Sequence, residues 1–228
     1  MIPIRDELPT RRFPVVTVAL ILVNTAVFLY EVSLGPAREL FFFQAGLVPA
    51  FLWGKTQLLH GFSVPPLLTL LTSIFLHGSF FHLLSNMWYL WIFGNNVEDF
   101  LGRWQFLLFY LGCGFAAGLS HALAFPSSLL PTVGASGAIA GVMGGYFLLF
   151  PRARILTVVF WGFFVQFLYV PAVVFLGFWI LLQMFYAIVS LGFPGYGGIA
   201  WFAHVSGFVV GALWCKIIAS RTYRRIYW

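Results

Sequence analysis

The chain has 228 residues, 61% of them hydrophobic and 8% charged, with a formal net charge of +6. A soluble globular domain carries about 25% charged residues, so this composition belongs to the membrane class and excludes an ordinary soluble enzyme. The Lys and Arg residues stand between apolar runs rather than among aromatics on a polar face, so no nucleic-acid partner is expected.

Read in chain order, the basic pair Arg11-Arg12 precedes an apolar run from Phe13 to Tyr30. That run exceeds the ~7–15 residues of a secretory signal core, and no small-residue cleavage site follows, so it reads as a signal anchor and first span. Apolar stretches predict six spans, roughly 13–31, 70–93, 104–124, 136–150, 169–190 and 200–219. Gly, Pro or charge separates them, as in Gly94-Asn95-Asn96, Pro126-Ser127-Ser128, Pro151-Arg152 and Pro194-Gly195-Tyr196-Gly197-Gly198. The expected fold class is all-α: a polytopic membrane helix bundle with six transmembrane helices, forming one membrane domain over residues 1–228. The apolar stretch 155–168 is read as an interfacial or re-entrant lead-in to the fifth span. As a seventh span it would put Arg221, Arg224 and Arg225 outside, against the positive-inside rule.

Six spans place both termini in the cytoplasm. Arg5, Arg11, Arg12, Arg103, Arg152, Arg154, Arg221, Arg224 and Arg225 then lie inside, and only Arg38 and Lys55 outside. The first outer loop, 32–66, is rich in Phe, Trp and Leu and is expected to lie partly in the lipid interface. Cys113 and Cys215 each sit inside an apolar run, which argues against a disulfide framework.

Helix rise sets the depth of the polar residues. The fourth span, from Ser136 to Pro151, is roughly 22 Å long at ~1.5 Å per residue, short of a ~30 Å hydrocarbon core. Ser136 therefore starts below the outer surface, and the loop before it must dip in after it, which requires shielding or a wet cavity. Counting from the cytoplasmic ends puts His204 roughly 25 Å up the sixth span and His82 roughly 20 Å up the second. Three polar residues from three helices share one stratum.

Ser136 stands in Gly134-Ala135-Ser136-Gly137, followed by the stripe Gly137, Gly141, Gly145. Taken alone it reads more readily as a small residue in a helix interface. His204, in Ala203-His204-Val205-Ser206-Gly207, sits above a second stripe, Gly207 and Gly211. Intramembrane ionisable residues are functional candidates, although a structural histidine is an equal reading for His204 in isolation. Two glycine stripes let the backbones approach closely enough for a short serine side chain to meet an imidazole. His82 and Asn86, four apart on one face of the second span, can donate toward a developing oxyanion or simply bond between helices. His77, one turn further out, is read as an anchor for the first outer loop, and His60 and His121 receive no role. Glu98 and Asp99 lie at the cytoplasmic side, so a serine–histidine dyad is the economical arrangement. The histidines lack carboxylate or cysteine companions at ligand spacing, so no metal is expected.

These residues resemble the rhomboid family of intramembrane serine proteases, in its six-span bacterial type. The resemblance runs through His82 and Asn86, Gly134-x-Ser136-Gly137, Ala203-His204-x-x-Gly207-x-x-x-Gly211, and the acidic turn around Glu98. It implies a nucleophilic Ser136, a general base His204, and an oxyanion hole from the Ser136 backbone N–H, His82 and Asn86. Gly134, Gly137, Gly141, Gly207 and Gly211 support the helix packing, and no cofactor is implied. It implies hydrolysis of transmembrane protein substrates near the outer face, at small residues beside helix-destabilising sequence, in a bacterial cytoplasmic membrane. The fifth span and the Gly-rich loop 192–198 would form a moving gate and cap. Two departures matter. Some relatives carry an aromatic one turn after the serine, stacked on the histidine; here that position is Ala140, so other contacts must orient His204. The extra soluble domain or additional span of some relatives is not expected here.

Two other readings compete. A non-catalytic member of the same fold would bind and escort membrane proteins, but such proteins typically lose the serine or histidine. A channel or transporter would need polar residues through the full depth, which these spans lack.

Overall fold

The computed structural model describes residues 1–55, 64–162, 164–192 and 200–227. The chain opens with a short strand β1 (Ile2–Asp6) and a long helix α1 (Val15–Ser33). The first loop holds α2 (Arg38–Ala45), α3 (Pro49–Leu52) and α4 (Thr69–Thr72) among 3-10 turns. Then come α5 (Phe80–Leu101), α6 (Arg103–Ala124) and α7 (Ser136–Leu149), a hairpin of β2 (Arg154–Trp161) and β3 (Phe164–Pro171), α8 (Ala172–Gly192) and α9 (Trp201–Tyr227). Among the described residues four helices, α1, α6, α8 and α9, are long and apolar enough to cross a membrane, and α5 with its preceding turns supplies a fifth candidate. Helix α7 is shorter and lies at the centre. It packs most extensively on α9, and also on α6 and α5.

A helical bundle is therefore what folds, with three departures from the expected spans. The second span does not begin at residue 70. Residues Pro66–Phe75 form a separate short helical stretch bent by 80° from α5. Ser79 in extended conformation caps α5 by accepting from the His82 backbone N–H, which sets the helix start ten residues late. At the other end α5 runs through Gly94-Asn95-Asn96, a stretch that reads as a break. Gly94 faces α1 so closely that a Cβ there would meet Thr17 Oγ1 at 3.2 Å, and Asn96 donates to Asp6. The helix stops at Gly102, whose φ of +81° suits glycine.

The third departure is the sheet. Residues 155–168 are not a re-entrant lead-in: they form most of the β2–β3 hairpin, and β1 adds to β2 to give an antiparallel order β1-β2-β3. Ile155, Thr157, Val158 and Val159 are β-branched and prefer the extended backbone, and Gly162 at φ +60° makes the turn. The helix of the fifth expected span, α8, consequently starts at Ala172 rather than 169.

Two carboxylates, the buried Glu98 and the part-buried Asp6, tie distant segments at the end of the bundle that carries the sheet. Glu98 of α5, 3% exposed, accepts from the backbone N–H groups of Val16 and Thr17 and from Thr17 Oγ1, at 2.9, 2.7 and 2.8 Å. It thereby caps α1, whose own N-cap position is Pro14 and offers no side-chain acceptor. Asp6 accepts from Asn96 Nδ2 and from the Tyr146 hydroxyl, both at 2.6 Å, while Trp88 Nε1 donates to the Pro3 carbonyl. At the other end, Glu31 accepts from the His77 backbone N–H and pairs with Arg38, which also donates to the His77 carbonyl. His77 does anchor the first loop, through its main chain rather than its ring.

Candidate active site

The site is built on the α7–α9 seam. Side chains are nearly absent there: a Cβ on Gly207 would collide with the Gly137 carbonyl oxygen, and one on Gly211 with the Gly141 carbonyl oxygen. A Cβ on Gly144 would strike the Phe208 carbonyl in the same way. Helix axes with only glycine between them come closer than the usual 8–10 Å. The packing around α7 is equally tight elsewhere, with Gly141 against Cys113 of α6 and Gly145 against the thiol of Cys215 of α9; both cysteines are buried and free.

At the top of this seam Ser136, the first residue of α7, faces His204 in the first turn of α9. Ser136 Oγ lies 2.7 Å from His204 Nε2, a full hydrogen bond. Helix α7 starts without a side-chain cap, so the N–H groups of its first turn, including that of Ser136, are free to donate. The loop entering Ser136 is pinned by main-chain bonds: Leu47 and Thr132 exchange a pair at 3.0 and 2.8 Å, and Gly134 N–H donates to the Ser73 carbonyl at 2.9 Å.

His82 and Asn86 reach this loop from α5. A Cβ on Gly134, whose φ is +133°, would lie 2.8 Å from His82 Nε2 and 3.8 Å from Asn86 Nδ2. Asn86 Nδ2 is buried and has no hydrogen-bond partner, a donor held in reserve beside Gly134. All four side chains line one cavity of about 1180 Å³, bounded by Tyr89 of α5 and Trp179 of α8. That is larger than the usual 300–1,000 Å³ ligand pocket and has room for a stretch of extended chain. A serine, two imidazoles and one amide donor around a single cavity form the parts needed for acyl transfer.

Gln183 of α8 is the residue the sequence reading passed over. Its Oε1 lies 2.8 Å from His204 Nδ1, on the side of the ring opposite Ser136. It is 8% exposed and is the only amide in a 21-residue apolar helix, the signal by which it could have been found. Trp179, one turn before it, lies over the His204 ring at 5.9 Å between centroids and 35° between planes, and Trp201 meets that ring edge-on at 6.1 Å. These contacts stand where Ala140 supplies none. His121, which receives no role from sequence alone, also lines the cavity, on its α6 side. The Gly-rich loop expected to cap the site, and His60, lie outside the described residues, apart from Gly192 at the end of α8. Among the described residues no three His, Cys, Asp or Glu side chains gather as a metal would require.

The Rhomboid domain family model matches residues 65–221. The mitochondrial Rhomboid protein 1 of Saccharomyces cerevisiae is 37% identical over 111 residues, 46% of this chain and 32% of the relative. The Rhomboid protease GluP of Bacillus subtilis is 43% identical over 75 residues, 33% of this chain and 14% of the relative. The human mitochondrial presenilin-associated rhomboid-like protein is 33% identical over 94 residues, 39% of this chain and 24% of the relative. The matched stretches thus span about a third or less of these relatives.

Proposed function

This chain belongs to the rhomboid family, and on that footing we propose that it is an intramembrane serine endopeptidase with Ser136 as nucleophile and His204 as general base. Family and apolar helices together make it an integral multi-pass membrane protein. The relatives include mitochondrial and bacterial proteins, so family alone does not choose the membrane. The proposed topology is six spans, α7 being the short central one, with both termini on the cytoplasmic side, as the arginine distribution favours.

The observation that carries the reading is the 2.7 Å contact between Ser136 Oγ and His204 Nε2. In the proposed reaction Ser136 Oγ attacks the scissile carbonyl carbon while His204 Nε2 takes the hydroxyl proton. The carbonyl oxygen, now an oxyanion, is stabilised by the Ser136 backbone N–H, Asn86 Nδ2 and His82, donors already fixed in place before charge develops. Collapse breaks the C–N bond, and His204 returns its proton to the leaving amine. Water then attacks the acyl-enzyme with His204 again as base, which releases the carboxylate and restores Ser136. The proposed substrates are transmembrane segments that unwind into the cavity between α5 and α8 and present a small residue beside helix-destabilising sequence.

Co-expression with tagged single-span membrane proteins tests this reading. Full-length substrate should disappear with the native protein and persist with Ser136→Ala. If the native protein retains its partners uncut but co-purifies with them, the escort reading replaces the protease.

A further inference from the structure

A serine–histidine pair works as nucleophile and base only if the imidazole proton sits on the far nitrogen. Neutral histidine carries one proton, and the tautomer is set by whatever the other nitrogen bonds. Nδ1 of His204 faces Gln183 Oε1 at 2.8 Å, and Nε2 faces Ser136 Oγ at 2.7 Å. We propose that Gln183 is a positioning residue: its carbonyl oxygen accepts from His204 Nδ1–H, keeps the Nε2 lone pair aimed at Ser136, and makes the docking of α8 on α9 a condition of reactivity. The inference rests on the protease reading above and adds a third member to it, placed on a different helix from either reactant.

Three observations support it. An amide in the middle of an otherwise apolar transmembrane helix costs free energy unless it bonds, and this one is buried against the imidazole. Trp179 and Gln183 are four apart, so one face of α8 supplies both the hydrogen bond to the ring edge and the contact over the ring plane. Finally, α8 is lightly held. It packs on α9, with less on α7, whereas α7 is buried along most of its length and packs on α5, α6 and α9. A helix with so little core attached can move away from the bundle and take both histidine contacts with it. The base is then competent only while α8 is seated.

The amide could in principle turn and donate to Nδ1, which would leave the proton on Nε2 and block Ser136. A glutamate at this position can only accept when ionised, so it separates the two cases. The test uses the full-length protein in detergent, a fluorophosphonate probe of Ser136, and three variants: Gln183→Leu, Gln183→Met and Gln183→Glu. In soluble serine proteases, replacing the group that orients the histidine lowers turnover by about 10⁴. A neutral amide polarises the ring less, so labelling should slow by about 10- to 100-fold in Gln183→Leu and Gln183→Met and recover in Gln183→Glu. In protein carrying ¹⁵N-histidine, the Nδ1–H resonance that disappears in His204→Ala should also disappear in Gln183→Leu, with the melting temperature of each variant recorded beside it. His204-dependent labelling at the native rate in both Gln183→Leu and Gln183→Met overturns the positioning role and leaves the protease reading intact. Slow labelling in Gln183→Glu with an unchanged melting temperature also overturns it. Native labelling that survives His204→Ala is a different result and removes the dyad itself.

Discussion

Helices α7 and α8 both face the candidate site, yet they are held in opposite ways. The α7–α9 seam is backbone against backbone: Gly144, Gly207 and Gly211 have no space for a single added carbon against the facing main chain. Helix α8 meets the bundle through a few large side chains and turns most of its surface outward, including Phe178, Leu181, Phe185 and Ile188. Close-packed backbones cannot slide without a clash, so the seam fixes the serine–histidine distance. Side-chain contacts on a loosely held helix can be made and broken, so α8 is suited to orienting groups and to admitting a substrate. One region sets geometry and the other sets access.

The largest expected effect comes from forcing the seam apart. Gly207→Leu should abolish cleavage although neither reacting atom is altered, because a misplacement of about 1 Å at a reacting centre costs about 10²-fold or more. Cleavage by that variant within tenfold of native would show that the glycines do not set the distance. Next comes the third wall of the cavity, α5. His82→Ala and Asn86→Ala should each lower kcat by up to about 10²–10³, with little change in thermal stability, since each removes a donor aimed at the oxyanion. Unchanged kcat in the double variant would leave the oxyanion hole without these two side chains.

The comparison sharpens with one substitution made on both helices. At Gly211 an alanine would meet the Gly141 carbonyl, and overpacking of this kind costs about 1–3 kcal/mol. At Gly177 of α8 the added carbon meets only Phe147, at an ordinary 3.9 Å, while helix propensity gains up to about 1 kcal/mol. Thermal melts should therefore fall for Gly211→Ala and hold or rise for Gly177→Ala; equal losses at both would erase the distinction between seam and α8.

The smallest effect concerns the sheet end. Burial holds the Asp6 carboxyl above its ordinary value of 3.8, against the pull of the Tyr146 hydrogen bond. Binding a proton there favours the folded state. The contribution is complete below the unfolded value near 3.8 and is lost as pH rises through the raised folded value. Relative to Asp6→Asn, the native protein should gain slightly in melting temperature as pH falls from neutral toward 4. A relative loss over that range would reverse the assignment.

Much of this was legible in the sequence, for physical reasons that differ by residue. The long apolar runs announce α1, α6, α8 and α9, and the glycine stripes beneath Ser136 and His204 announce the seam. The hairpin was not legible, because Ile155, Val158 and Phe160 look like lipid-facing residues when the surrounding chain is a membrane bundle. Strand β1 is five residues long, and its pairing with β2 lies some 150 residues away in sequence, beyond any local pattern. Glu98 stands out as a charge, but its partners at Val16 and Thr17 do not. Gln183 was hidden because it stands alone: Asn86 draws notice through His82 four residues before it, and α8 has no histidine or charged residue to make such a pair.

The central claim is that His204 activates Ser136, and covalent labelling tests it most directly. Full-length protein in detergent is treated with a fluorophosphonate, digested, and mapped by mass spectrometry, beside His204→Ala and Ser136→Ala. A serine hydroxyl is a weak nucleophile until a neutral base takes its proton, so the adduct should sit on Ser136, fade as the solution is acidified, and be absent from both variants. An adduct on another serine, or equal labelling of Ser136 without His204, would contradict the dyad.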